Sequence, residues 1–321
     1  MSAAASTLAP WLAQQRQSLL AQRGHAWLLQ GPSGMGQFEL GMALVRAWLC
    51  EQPGADGAAC GHCASCHSID VHAHADLFVL MPEVDMMARG WPLSEKAQSE
   101  IDDKKRKPSK RTSARGCGKA VLVYPAEQMN AVTANALLKT LEEPPGDVRF
   151  VLATEAAHQL LPTIRSRCLA HTMLWPQQAQ MLQWLQEQGV SQQDVEVCLR
   201  AAGGRPFDAW QMAQSGKGMG VFARLPKAVA SGDVAVFAEM SPPEVVQWLQ
   251  KLCHDLMCVA QGAAPRYFAA QDLPRAPSVM VLARWAKSLA QEARTAEHPF
   301  NANLMTEALV AQACTVLNSR H

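Results

Sequence analysis

Four closely spaced cysteines have a pattern that suits a metal ion. Cys50, Cys60, Cys63 and Cys66 follow the spacing C-x9-C-x2-C-x2-C. A tight turn can direct two thiolates at one ion and a longer loop can return the others, so the spacing predicts a four-cysteine zinc site. Four thiolates fill a tetrahedral shell and leave no position for a reacting water, so the zinc would be structural. The alternative is four reduced cysteines in a surface loop.

A glycine-rich turn at residues 31–36 has the spacing of a phosphate-binding loop. In the working loop G-x-x-x-x-G-K-[ST], backbone amides hold phosphates, the lysine neutralises their charge and the hydroxyl binds magnesium. Gly31 and Gly36 match this pattern, but Gln37 and Phe38 replace the lysine and the hydroxyl residue. Losing two charge-assisted hydrogen bonds weakens phosphate binding by roughly two to four orders of magnitude. The alternative is a strand-to-helix turn that never bound phosphate.

A later apolar segment ends without the acids that nucleotide hydrolysis requires. After Val123 the chain continues as Tyr124-Pro125-Ala126-Glu127. Neither Tyr124 nor Pro125 can hold hydrated magnesium or orient an attacking water. Because both halves of a hydrolytic site lack their chemistry, the sequence predicts no intrinsic ATP hydrolysis.

Short strands that alternate with helices must position these residues. Apolar runs predict strands at residues 25–30, 120–124 and 149–154, and a helix from Ala131 to Glu143 is stopped by Pro144-Pro145. From about residue 174 only helical patterns remain. The fold class is therefore α/β followed by all-α.

Helix-start signals organise the second half of the chain. Ser191 begins a pattern that resembles a capping box, and Ser241-Pro242-Pro243-Glu244 is a stronger one. The glycine-rich residues 215–220 predict a linker. One apolar stripe is predicted on the helix after Ser241, formed by Val245, Trp248, Leu249, Leu252, Leu256 and Val259.

Composition excludes several classes of protein. The chain has 321 residues, 49% hydrophobic and 18% charged, so it can bury a core and disorder is not expected. With 29 basic and 28 acidic residues the net charge is +1, which argues against nucleic-acid binding through a uniformly basic surface. Apolar runs are too short to cross a membrane and no export signal is apparent, so a soluble, unexported protein is expected.

An arginine follows the third predicted strand in the run Thr163-Ile164-Arg165-Ser166-Arg167-Cys168. Alone, it would be interpreted as a surface ion pair. Together with the altered glycine turn and strand end, Ser166-Arg167-Cys168 resembles the clamp-loader branch of the AAA+ family. The runs that carry the resemblance are residues 27–36, 121–127, 135–145 and 152–168.

This resemblance implies three domains. They are an AAA+ P-loop-type parallel-sheet domain (1–173) with the cysteine module inserted at about 50–66, a small helical lid domain (174–215) and a C-terminal helical collar domain (216–321). It also implies that Arg167 is an arginine finger inserted in trans into a neighbouring subunit's ATP site, with Ser166 and Cys168 holding its loop. No ATP is expected to bind at this chain's own turn.

The same resemblance implies a function and partners. The chain would be a non-hydrolysing subunit of the cytoplasmic DNA polymerase III clamp-loader complex, which loads a sliding clamp on primed DNA. Its partners would be the ATP-hydrolysing subunits and the delta subunit that opens the clamp, with clamp and DNA met through the assembly. Two other classes remain open, a divergent P-loop ATPase or nucleotide kinase and a zinc-ribbon DNA-binding protein.

Two further features have no firm role. The segment from Lys104 to Arg115 has seven basic and no acidic residues. It is interpreted as a solvated loop or a junction at Lys110 and Arg111 where family members have further residues, and the alternative is a patch that contacts phosphates. Arg205 stands at a position similar to a second nucleotide-sensing motif. Without a nucleotide it is expected to be a relic or a packing residue.

Overall fold

The computed structural model describes residues 8–91, 113–214, 219–296 and 301–319. These residues form two compact units, one ending at Gln180 and the other beginning at Met181. The further division of the helical half at about residue 215 stays a prediction.

A parallel five-stranded sheet forms the centre of the first unit. Its strands have the spatial order β2-β3-β4-β1-β5. Their carboxyl ends therefore meet at one edge, the usual location of ligand sites in open parallel sheets. The strands are β1 (Ala26–Gln30), β2 (Leu77–Leu80), β3 (Lys119–Val123), β4 (Val148–Thr154) and β5 (Leu169–Thr172).

Helices connect these strands. They are α1 (Pro10–Leu20), α2 (Gln37–Leu49), α3 (Ala64–Asp70), α4 (Glu83–Ala88), α5 (Ala131–Glu142) and α6 (Pro162–Arg165). The helix predicted after residue 130 is confirmed, because the Asn130 side chain accepts a hydrogen bond from the Thr133 amide and so caps α5. Short 3-10 turns at Ala126–Gln128 and Ala157–Gln159 follow β3 and β4.

The sequence patterns predicted the three central strands but missed β2 and β5. Both missed strands have four residues and lie at the two edges of the sheet. Their side chains are largely half-buried or exposed, whereas β3 is buried throughout. An edge strand buries fewer side chains and so carries a weaker apolar signal.

The second unit is helical in its described residues. Its helices are α7 (Gln178–Glu187, which begins at the end of the first unit), α8 (Gln192–Ala201), α9 (Pro206–Gln214), α10 (Met219–Ser231), α11 (Pro242–Ala260), α12 (Val279–Glu292) and α13 (Ala302–Leu317), with 3-10 turns at Ala235–Phe237 and Ala270–Asp272. Ser191 caps α8 and a capping box begins α11, as predicted. No helix of the described residues is long and apolar enough to span a bilayer.

The long helix α11 presents the predicted apolar stripe to the core of the second unit. Val245, Leu249 and Leu256 are fully buried, but Val259 is 38% exposed. Including Val259 was therefore wrong, because it lies in the last turn of α11, beyond the end of the packed face.

Candidate functional site

The four cysteines converge, as the spacing predicted. Cys50 is the C-cap of α2, and Cys63 caps α3 by accepting a hydrogen bond from the Cys66 amide. All four sulfur atoms lie within 4.8 Å of one another. The Cys50 Sγ atom lies 3.9 Å from that of Cys63 and 3.8 Å from that of Cys66. Tetrahedral zinc with Zn–S bonds of about 2.3 Å requires sulfur separations of about 3.8 Å, so these residues fit that ion.

The pKa values of the clustered thiols are shifted in different directions. Burial raises the pKa of the Cys50 thiol and raises that of Cys66 to about 12. At Cys63 burial acts in the same direction, but hydrogen bonds from the backbone at Cys66 and Glu51 and from neighbouring thiols outweigh it and lower the pKa to about 6. The thiols therefore do not all ionise together at neutral pH, and a bound metal would supply the positive charge that ionises the rest.

A buried polar network attaches the cysteine module to the sheet. The Ser65 hydroxyl donates to the Leu49 carbonyl over 2.5 Å and lies 2.8 Å from His74 Nε2. The Asp76 amide donates to His74 Nδ1 over 3.1 Å. His74 is thus a neutral ring with its proton on Nε2, and burial lowers its pKa. No periodic pattern in the sequence points to this histidine.

The residues that lead into β3 are held by the same network. The buried Asp76 carboxylate accepts hydrogen bonds from the Ser113 hydroxyl and from the amides of Ala114 and Arg115. The Arg115 guanidinium also pairs with Glu51 at 2.8 Å. Arg115, the last residue of the predicted basic segment, is therefore bound to the cysteine module, while Lys104 to Thr112 lie outside the described residues.

The glycine turn has the predicted place between β1 and α2. Gly36 has a φ of 90°, a left-handed conformation that favours glycine. A Cβ at Gly31 would lie 2.9 Å from Met173, so a larger residue would clash there. The buried Gln37 side chain donates to the carbonyls of Gly31 and Pro32 at 2.9 and 2.7 Å. These two hydrogen bonds hold the start and the end of the turn together.

Two aromatic rings and an arginine pack together where α2 begins and β3 ends. The Phe38 ring packs on Tyr124 with centroids 5.4 Å apart. The Arg89 guanidinium lies 4.1 Å from the Phe38 centroid and 4.9 Å from that of Tyr124, and it pairs with Glu39 at 3.0 Å. We call Phe38, Tyr124 and Arg89 the aromatic plug. Sequence reasoning identified both rings but missed Arg89, which follows α4 and is distant from both in sequence.

The ends of β3 and β4 are joined by hydrogen bonds. The Tyr124 hydroxyl donates to Glu155 at 3.0 Å, and burial together with that carboxylate raises the pKa of Tyr124. Glu127, the first acid after β3, accepts from the Thr154 hydroxyl at 2.7 Å and from the Glu155 amide at 3.1 Å. Glu127 is thus engaged in holding the end of β4.

Arg167 lies just after α6 and is partly exposed. Its Nη1 donates to the Thr163 carbonyl at 2.7 Å and lies 3.4 Å from the Ser166 hydroxyl. Its Nη2 pairs with Glu142 Oε1 at 2.5 Å. The ion pair weighed as the alternative is therefore present, and Glu142 is a residue that sequence reasoning did not single out. Since Glu142 ends α5, only the fold brings the two together.

A buried and a half-buried residue anchor the loop that carries Arg167. Ile164 is fully buried in the core of the first unit, and Cys168 packs against the same core. Burial raises the pKa of the Cys168 thiol to about 11, so this cysteine acts as a small apolar side chain. The Ser166 hydroxyl donates to the Thr163 carbonyl and tightens the turn.

Arg205 is engaged within its own helical corner. Its Nε donates to the Ala202 carbonyl at 2.8 Å, and its Nη2 pairs with Asp208 at 2.9 Å. These contacts join the end of α8 to the start of α9, which agrees with a packing residue.

Comparisons with known proteins show which subunit family this chain is similar to. A family described as DNA polymerase III, delta subunit, matches residues 11–174. The DNA polymerase III subunit delta' of Escherichia coli is 33% identical over 273 residues, covering 79% of this chain and 78% of that protein. The tau subunit of Escherichia coli is 35% identical over 145 residues, covering 45% of this chain and 21% of tau.

Solved structures agree on the fold. A DNA polymerase III gamma subunit-related protein from Thermotoga maritima covers 96% of this chain and 100% of its own, with a TM-score of 0.50 and 17% identity. The family match spans the parallel sheet, the glycine turn and the Arg167 loop, while the E. coli alignment extends over most of the chain. The chain therefore belongs to the delta' family of DNA polymerase III clamp-loader subunits.

Proposed function

We propose that this chain is a non-hydrolysing clamp-loader subunit that supplies Arg167 in trans to the ATP site of a neighbouring subunit. The assembly would include ATP-hydrolysing subunits and the clamp-opening delta subunit, and would load a sliding clamp on primed DNA in the cytoplasm. The observation that carries the proposal is a partly exposed guanidinium on a loop anchored by Ile164 and Cys168.

The aromatic plug supports the absence of ATP hydrolysis by this chain. Phe38 and Tyr124 stand at the sequence positions where a working site has a magnesium ligand and an acid, and the Gln37 amide donates to the carbonyls of the turn. The chain lacks the lysine and the metal ligand that ATP binding uses. This arrangement argues against the alternative of a divergent ATPase or nucleotide kinase.

A guanidinium is the group that a trans-acting finger needs. It keeps its charge at all physiological pH values and presents paired N–H donors to phosphate oxygens. In the transition state negative charge is spread over the oxygens of the transferred phosphoryl group and develops on the leaving oxygen, where a fixed cation stabilises it. A loop packed on the core limits the entropy lost when that cation is positioned.

The cysteine module is proposed to bind one structural zinc ion. Its four sulfurs complete the coordination shell, so zinc would hold the loop between α2 and α3 together and supply no reaction. The contacts of the module with Arg115 and His74 support a role in organising this chain, in contrast to the alternative of a zinc-ribbon DNA-binding protein.

The decisive experiment replaces the finger in the reconstituted assembly. We expect Arg167→Ala to lower ATP turnover of the assembly, because an arginine finger contributes about three orders of magnitude or more to the rate at the site that it serves. Arg165→Ala is the matched control, because Arg165 is an exposed arginine two residues away. ATP turnover that is the same for both variants would contradict the proposal.

Equilibrium binding of labelled ATP to the isolated chain tests the second part. We expect no saturable binding at micromolar ATP, with or without magnesium. Micromolar affinity would favour the ATPase or kinase alternative.

A further inference from the structure

The Arg167 guanidinium forms two contacts within its own chain. The Glu142 carboxylate accepts from Arg167 Nη2 at 2.5 Å, while Nη1 of the same guanidinium donates to the Thr163 carbonyl. Both terminal nitrogens are thus engaged within the chain. These are the nitrogens that a guanidinium uses to bind phosphate in a two-point contact.

Both partners of the contact stand on rigid elements. Glu142 is the last residue of α5. The residue before it, Leu141, is buried, and its carbonyl oxygen lies 2.9 Å from Nε2 of His25, the residue just before β1. Arg167 follows α6, whose Ile164 is buried in the same core as Leu141. The Glu142–Arg167 contact is therefore set by the packing of two core-anchored helices.

We propose that Glu142 is a positioning residue that latches Arg167 in the free subunit and competes with the neighbour's phosphates for its guanidinium. The inference rests on the proposed role of Arg167. Phosphate carries more negative charge than one carboxylate and accepts at several oxygens, so it can displace Glu142 when the neighbouring site holds ATP. Until then the latch reduces the fraction of extended fingers and so the apparent affinity of the site for the finger.

The strength of such a latch is bounded by its exposure. The Arg167 and Glu142 side chains are 34% and 50% exposed, so water and salt screen the pair. Exposed ion pairs change an equilibrium by up to about five-fold. This is large enough to tune a finger and small enough for a phosphate to overcome.

A double-mutant cycle in the reconstituted assembly tests the latch. We expect Glu142→Gln to raise kcat/KM for ATP about two- to five-fold in the presence of Arg167 and to have no effect in the Arg167→Ala background. Glu143→Gln is the matched control, since Glu143 is an exposed neighbour with no ion pair to Arg167 among the described residues. An unchanged or lower kcat/KM, or the same change in both backgrounds, would overturn the inference.

Nuclear magnetic resonance of the isolated full chain separates the two proposals. The Arg167 Nη–H signals should show slowed rotation and exchange in the native protein and lose that protection in Glu142→Gln but not in Glu143→Gln. If the Arg167 Nη–H signals of the native protein are not protected, the proposed latch is wrong, and the proposed trans-acting role of Arg167 is unaffected. If Arg167→Ala leaves turnover unchanged, the trans-acting role fails, and the latch loses its function with it.

Discussion

Each end of α2 adjoins a motif whose residue spacing is typical of a binding site. The two motifs differ in the side chains that the fold places there. At the C-terminal end, Cys50 joins three other thiols around a common point. At the N-terminal end, the glycine turn keeps its left-handed Gly36, but Gln37 and Phe38 fill the space beside it. The C-terminal end has the donor atoms for a ligand, whereas at the N-terminal end side chains of the protein fill the space beside the turn.

This difference shows that backbone spacing and binding chemistry are separable. A turn geometry persists because glycines and packing require it, whether or not a phosphate is bound. At the cysteine end, four converging sulfurs have the separations that tetrahedral zinc requires, so the geometry there suits a ligand.

The largest effect is expected at the cysteine end. Replacing both Cys60 and Cys63 with serine should abolish zinc binding, because half of the ligands are lost. Structural zinc sites contribute about 10 kcal/mol or more of binding free energy, so we expect a large fall in melting temperature. Zinc content by elemental analysis and thermal unfolding measure the two effects.

Cys258→Ser is the matched control for this change. Cys258 is a half-buried cysteine of the second unit, outside the cluster, so its replacement should leave zinc content and melting temperature unchanged. A double variant that still holds one zinc per chain would show that the cluster is not the metal site.

An intermediate effect is expected at the glycine turn. The double change Gln37→Lys and Phe38→Thr restores the working motif, yet we expect it to destabilise the chain by about 3 kcal/mol, because a buried ring that contacts Tyr124 and Arg89 is lost. We expect no ATP binding, since the strand end still lacks its acids. Denaturant unfolding and labelled ATP provide the measurements.

Phe38→Leu, which keeps most of the buried volume, should cost less stability and serves as the control. Micromolar ATP binding by the restored variant would show that the two motif residues alone decide the chemistry of this end.

The smallest effect concerns acidification of the network below the cysteine module. Burial lowers the pKa of His74, so the unfolded chain takes up the proton first. Stability is therefore complete above the unfolded pKa of about 6.5 and is lost as the pH falls through the folded value. Protonation at Nδ1 would also remove the acceptor for the Asp76 amide.

We expect His74→Asn to flatten the dependence of stability on pH below about 6.5, with exposed His62→Asn as the control. Urea unfolding across this range measures the slope. Equal slopes in the native chain and the His74 variant would exclude His74 as the source of acid sensitivity.

Much of the fold and part of the site were predictable from sequence. The central strands, the start of α11 and the convergence of the cysteines follow from local patterns, because periodicity, capping residues and ligand spacing act over a few residues. The edge strands β2 and β5 were missed because partial burial weakens their apolar signal. Arg89, Glu142 and His74 were missed because each acts on a residue far away in sequence or through a buried network.

The amino-acid sequence alone shows which functional groups are present at the motif positions and which are absent. No lysine or hydroxyl follows Gly36 and no acid follows Val123 directly, whereas four thiols and the Ser166-Arg167-Cys168 run are present. Only the folded structure shows which side chains contact the two rings and Arg167. Arg89 reaches the rings of Phe38 and Tyr124, and Glu142 reaches Arg167, because the parallel sheet brings the ends of separate crossover connections together. Such contacts depend on packing between distant segments, which no local pattern encodes.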